Sequence, residues 1–231
     1  MGFSISNNFP CNSYNSLYGQ ISEERGALMI NYIMYLPMVI LISIPMLYHC
    51  YKFRGLENMV LYIIIAGGVG TLVEITGVTS GGYEYTGHTI LTCVLLVGVG
   101  WIVNTYIAMH LSSYILFGEK YPTKAELSLQ EYLKVAMLSG ILAVLYDLFV
   151  DPVAVALKIW VWAEEGPWFG VPTLNFIGWF LIIFLNVYAY YSLMTNKSEF
   201  ARKMVIAIFY AIFNSIIVIG IMNLCQFLGI K

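Results

Sequence analysis

The chain has 231 residues, of which 60% are hydrophobic and only 10% charged, with a formal net charge of −2 and a mean hydropathy of +0.79. Soluble domains carry about 25% charged residues, so this composition excludes an ordinary water-soluble protein and makes the bilayer the main solvent. No nucleic-acid partner is expected.

Residues 1–26 form a polar N-terminal segment, Asn/Ser-rich in its first twenty residues and without Lys or Arg before Arg25. It lacks the basic n-region and small-residue cleavage site of a signal peptide, and is expected to remain uncleaved and partly mobile. A membrane span needs about 20 mostly apolar residues. Six stretches qualify, at residues 27–48, 59–78, 90–116, 129–150, 174–194 and 204–228. The expected fold is an all-α integral membrane protein, with about six transmembrane helices in one polytopic domain over residues 27–231. The cysteines Cys11, Cys50, Cys93 and Cys225 are scattered, without a CxxC, and read as small apolar residues.

Orientation follows from the Lys/Arg bias of the connections. With both termini outside, the inner side holds Lys52, Arg54, Lys120, Lys124, Lys134, Lys197, Arg202 and Lys203, and only Arg25, Lys158 and Lys231 lie outside. The expected location is the cell membrane, with both termini extracytoplasmic. The connections at residues 79–89 and 151–173 then share the outer side.

Both of these connections depart from short polar loops. One contains SGGYEYTG (residues 80–87) and the other VAVALKIWVWAEEGPWFGVP (153–172), each rich in glycine and aromatic residues. Residues 153–163 are too few to span, and Pro152 and the run Glu164, Glu165, Gly166, Pro167 bound them. They predict a short re-entrant or interfacial helix, because non-helical backbone at membrane depth survives only against protein or a wet cavity.

Three carboxylates, Glu74, Asp147 and Asp151, lie at the outer ends of the second and fourth spans. An ionisable residue in a span costs about 2.5–3.5 kcal/mol on insertion scales and is a functional candidate by default. The alternative for Glu74 and Asp147 is an interhelical contact. Asp151 precedes Pro152, so it could instead cap a following helix. If the helix continues, Asp147 and Asp151 are four apart and share a face. Trp101, Trp160, Trp162, Trp168, Trp179, Tyr83 and Tyr85 fit either an interfacial aromatic belt or a site. Asn104 and Asn175 fit interhelical hydrogen bonds. His88 and His110 have no metal-binding spacing, and no metal is expected.

Three segments then carry a resemblance: EITGVTSGGYEY (74–85), YDLFVDPVAVALKIWVW (146–162) and GPWFGVPTLNFIGW (166–179). Together they resemble the membrane-embedded carotenoid hydratases of the γ-carotene and bisanhydrobacterioruberin hydratase type, over most of residues 60–190. The resemblance implies cofactor-free addition of water across a trisubstituted isoprenoid double bond, giving a tertiary alcohol. Carried over by position, Glu74, Asp147 and Asp151 fill the acidic positions. Tyr83, Tyr85, Trp160, Trp162, Asn175 and Trp179 fill the aromatic and amide positions, as candidate substrate contacts.

These residue types suit that chemistry. Hydration starts with protonation of the alkene by a carboxylic acid, and pairs of acids in a buried site divide into acid and base. Aromatic faces stabilise the resulting cation, and a carboxylate deprotonates the incoming water. The expected substrate is the acyclic end of a carotenoid or a geranylgeranyl-type chain of an ether lipid, with water and membrane lipids as the other partners. A proton-coupled transporter also uses intramembrane carboxylates and broken helices. A non-catalytic scaffold is the third reading, and it predicts no lipid-sized cavity.

Overall fold

The computed structural model describes residues 11–85, 90–118 and 127–230, and the side chains within them except at 11–36, 38 and 90–96. His88, which falls at 86–89, lies outside the described residues. In hydrocarbon every backbone N–H and C=O needs an internal partner, which favours helices, and five helical elements account for nearly all of the fold. They are α1 (Cys11–Thr79), α2 (Ile90–Phe117), α3 (Leu129–Ala156), α4 (Thr173–Thr195) and α5 (Phe200–Phe227). Among the described residues four helical stretches are long and apolar enough to cross a membrane: Val39–Thr79, Leu129–Ala156, Thr173–Thr195 and Phe200–Phe227. The chain is an all-α, multi-pass membrane protein.

The first two predicted spans both lie in α1, on either side of a break at Gly55, whose φ of 80° and ψ of 165° are not helical. Only glycine adopts such angles without steric cost, so Gly55 lets the chain change direction within one turn. The other predicted spans coincide with α2 to α5 within a few residues. Helix α3 opens on a capping box: the Ser128 hydroxyl accepts from the Glu131 backbone N–H, and the Glu131 carboxylate accepts from the Ser128 N–H.

The predicted short helix at residues 153–163 is not formed. Instead α3 runs through Pro152 to Ala156, the chain turns at Lys158 (φ 53°), and residues Trp160–Trp162 form a strand, β2. It pairs antiparallel with β1 (Tyr83–Tyr85), with Tyr83 opposite Trp162 and Tyr85 opposite Trp160. Two physical reasons account for the correction. Proline leaves the carbonyl four residues earlier without its helical donor, and here the Trp168 indole N–H donates to the Leu148 carbonyl at 2.9 Å. The sequence Trp-Val-Trp has the strand period of two, and Tyr-Glu-Tyr supplies a matching partner. Asp151 is therefore inside α3 and does not cap a new helix.

Helix α1 packs on α2 and α5, α3 on α2 and α4, and α4 on α5, which closes a ring; α4 also reaches α1 and α2. The helices meet through small and polar residues, as membrane helices do. Ser139 donates to Ser112 at 3.1 Å, Asn186 to Thr105 at 3.3 Å, and a Cβ at Gly140 would lie 2.7 Å from the Phe180 ring.

Candidate active site

The β1–β2 ribbon lies across one end of the bundle. Alternation along its strands puts Tyr83, Tyr85, Trp160 and Trp162 on one half-buried face, while Glu84 and Val161 point away and are exposed. Across the strands Tyr83 meets Trp162 with ring centroids 5.0 Å apart, and Tyr85 meets Trp160 at 6.2 Å. A glycine sets how closely the ribbon approaches α1: a Cβ at Gly77 would fall 2.6 Å from Tyr83 Cε1.

Beneath this aromatic face is a cavity of about 1230 Å³. It is above the usual range for small-molecule pockets, about 300–1,000 Å³, and has room for a long flexible ligand. Every helix contributes to its wall. Glu74 comes from α1, Trp101 and Asn104 from α2, Tyr146 and Asp151 from α3, Asn175 and Trp179 from α4, and Asn223 and Gln226 from α5.

The three carboxylates are all buried, with relative exposures of 7% for Glu74, 0% for Asp147 and 2% for Asp151. Their partners differ. Glu74 Oε2 accepts from the Tyr83 hydroxyl and, at 2.8 Å, from the Tyr85 hydroxyl, while its Oε1 accepts from the Trp101 indole N–H at 3.0 Å. Burial, reinforced by the neighbouring Glu74 carboxylate, pushes the Tyr83 phenol well above its ordinary range, so it remains a donor. Asp147 and Asp151 sit one helical turn apart and share a single donor group: Asn175 Nδ2 lies 2.7 Å from Asp147 Oδ2 and 2.5 Å from Asp151 Oδ2. Asp147 Oδ1 is sealed from solvent without a hydrogen-bond partner. Asp151 and Glu74 are within Coulombic range of each other, and Tyr83 is within range of both.

The structure thus brings Glu74, Asp151, Tyr83, Tyr85, Trp160, Trp162, Asn175 and Trp179 onto one cavity, with Asp147 behind the wall and joined to it through Asn175. Asn175 makes an interhelical contact, and makes it to the carboxylates. Trp168 instead serves the α3 carbonyl. His110 lies elsewhere, its Nδ1 2.9 Å from the Tyr106 carbonyl oxygen. Among the described residues no group of three or more His, Cys, Asp or Glu side chains is arranged to hold a metal ion.

Sequence reasoning left several wall residues outside the site. Trp101 and Tyr146 both make tilted ring contacts with Trp179, with centroids 4.4 and 6.2 Å from that ring. Trp101 was visible as an aromatic residue inside a span, but nothing local ties it to Glu74, 27 positions earlier. Asn223 and Gln226 are polar residues three apart near the end of α5, a spacing that puts them on one face.

The family model for carotenoid biosynthesis proteins matches residues 31–230. No curated protein matches the chain, and no solved structure matches it. The chain belongs to the carotenoid biosynthesis protein family.

Proposed function

We propose that this member of the carotenoid biosynthesis family is a hydratase that adds water across a trisubstituted isoprenoid C=C. The observation that carries the reading is the convergence of two buried carboxylates, Glu74 and Asp151, on one large aromatic-walled cavity within a membrane protein, with a third, Asp147, joined to Asp151 through Asn175 behind the wall. A scaffold that only ties helices together has no use for that space. In the proposed orientation α1 crosses twice about Gly55 and six spans in all form one domain over residues 27–231, after a polar segment at 1–26. Both termini and the cavity then face the outside of the cell membrane.

The reaction divides into two steps. A carboxylic acid, assigned to Asp147 with Asp151, gives its proton to the less substituted alkene carbon. The π electron pair forms the new C–H bond and leaves a tertiary carbocation. The faces of Trp160, Trp162 and Tyr83 stabilise that cation, at about 2 kcal/mol or more per desolvated cation–π contact. Water then forms the C–O bond with a lone pair and passes a proton to a carboxylate, Glu74 or Asp151, as general base. Proton return to the acid completes the cycle, and the net change is one water added. No cofactor takes part.

The substrate is the acyclic end of a carotenoid or a prenyl chain of an ether lipid, both of which enter laterally from the bilayer. The test is lipid analysis of two hosts expressing the chain, one with a carotenoid pathway and one with unsaturated prenyl ether lipids. The expected product is an isoprenoid heavier by one water with a tertiary hydroxyl, in one host or both. Near-normal product formation by Asp147→Asn, Asp151→Asn and Glu74→Gln alike would remove the carboxylate mechanism. Substrate flux in proteoliposomes without a change in lipid mass would favour a transporter.

A further inference from the structure

The two acidic groups of the cavity are held in opposite ways. An ionised carboxylate only accepts hydrogen bonds, whereas a protonated one must also donate, and an indole N–H can only donate. Glu74 has donors on both oxygens: the Trp101 indole on Oε1, and the Tyr83 and Tyr85 phenols on Oε2. The opposite holds for Asp147 and Asp151, whose carboxylates share one amide group while Asp147 Oδ1 has no partner. Two adjacent carboxylates with so few donors are the arrangement in which one proton is kept between them.

Trp101 is fixed to serve Glu74. It is 5% exposed, and its side chain lies so close to α1 that a Cβ at Gly70 would be 2.3 Å from Trp101 Cγ. On the other side the Trp179 ring packs at 4.4 Å. Held between a glycine and a second indole, the ring has one polar atom, and that atom meets Glu74.

We propose that Trp101 is a positioning residue which, with Tyr83 and Tyr85, holds Glu74 as an ionised carboxylate beside the developing carbocation, leaving Asp147 and Asp151 to carry the reacting proton. This division rests on the hydratase reading. A fixed anion where positive charge develops needs no reorganisation during the reaction.

Trp101→Phe keeps most of the ring and removes the N–H. Its expected effect is a fall in kcat of at least about tenfold, from loss of a hydrogen bond to a charged group, with KM little changed. The double variant with Glu74→Gln is expected to be no slower than Glu74→Gln alone, because both act through one carboxylate. Additive losses would overturn the assignment. A second readout needs no turnover: infrared difference spectra of the purified protein against Glu74→Gln. The wild type at neutral pH is expected to show no protonated-carboxyl band from Glu74, and Trp101→Phe or Tyr85→Phe to show one. A protonated Glu74 in the wild type overturns the proposal even where Trp101→Phe fails to fold. If no host yields a hydrated product, the hydratase reading fails separately, and the spectra still decide how Glu74 is held.

Discussion

Two clusters of buried polar and aromatic residues lie within this bundle, and they differ in what they enclose. Around Glu74, Asp147 and Asp151 the rings of Tyr83, Tyr85, Trp160, Trp162 and Trp179 face a cavity. The second cluster, around His49, Arg54, Tyr106 and His110, contributes no residue to that cavity's wall. There the groups pack on one another: His49 Nδ1 is 2.5 Å from the Tyr106 hydroxyl, the His110 ring lies tilted with its centroid 4.0 Å from that of Tyr106, and Tyr62 meets Tyr190 at 5.2 Å. Tyr62 donates to the Ile102 carbonyl and the Ser113 hydroxyl lies 3.2 Å from that of Tyr191, while the Tyr190 hydroxyl is buried without a hydrogen-bond partner. Similar side-chain types therefore serve cohesion where they fill space. Where they surround space, beside carboxylates, they can serve chemistry.

The contrast can be broken by substitution, and the largest effect is expected from Asp147 and Asp151, which share the Asn175 amide. Asp147→Asn and Asp151→Asn are each expected to reduce hydration by about 10²- to 10⁴-fold, the usual range for a general acid or base. Mass analysis of membrane lipids measures the loss, and thermal unfolding in detergent checks that folding persists. Trp162→Leu removes one aromatic face and is expected to slow turnover about 30-fold, corresponding to about 2 kcal/mol of cation–π stabilisation. A variant that hydrates at the wild-type rate would take Trp162 out of the mechanism.

The packed cluster is expected to respond in stability instead. Tyr106→Phe removes the hydroxyl beside His49 and is expected to cost about 1 kcal/mol on unfolding, with hydration rates within about twofold of the wild type. A large loss of activity at unchanged stability would show that the two clusters are coupled. The smallest effect is expected for Trp168→Phe, which deprives the Leu148 carbonyl of its donor above Pro152. Trp168 is 42% exposed, so water or headgroups replace part of the bond and the expected cost is about 0.5 kcal/mol. Calorimetry of the two variants side by side gives that ranking.

Much of the candidate site was legible because its residues sit in three short motifs whose composition is unusual for membrane connections. Acids at the ends of apolar stretches stand out by cost alone. The strand at residues 160–162 was not legible as a strand: its apolar run continues that of α3, and the partner that makes it extended is 77 positions earlier, at Tyr83 to Tyr85. The continuation of α3 through Pro152 was hidden for the same reason, since the donor that replaces the lost helical bond comes from Trp168, across a loop. The second polar cluster escaped sequence reading because His49, Tyr106 and Tyr190 form no motif and meet only when α1, α2 and α4 pack.

By itself the sequence determined that the chain lives in a bilayer, where its apolar runs lie, and which acids stand at their ends. Hydropathy and charge act locally, so they can be read one stretch at a time. Only the tertiary structure decided that Glu74 is surrounded by three donors while Asp147 and Asp151 share one amide. Those partners arrive from different helices and from the ribbon, and a hydrogen bond depends on where separate elements meet.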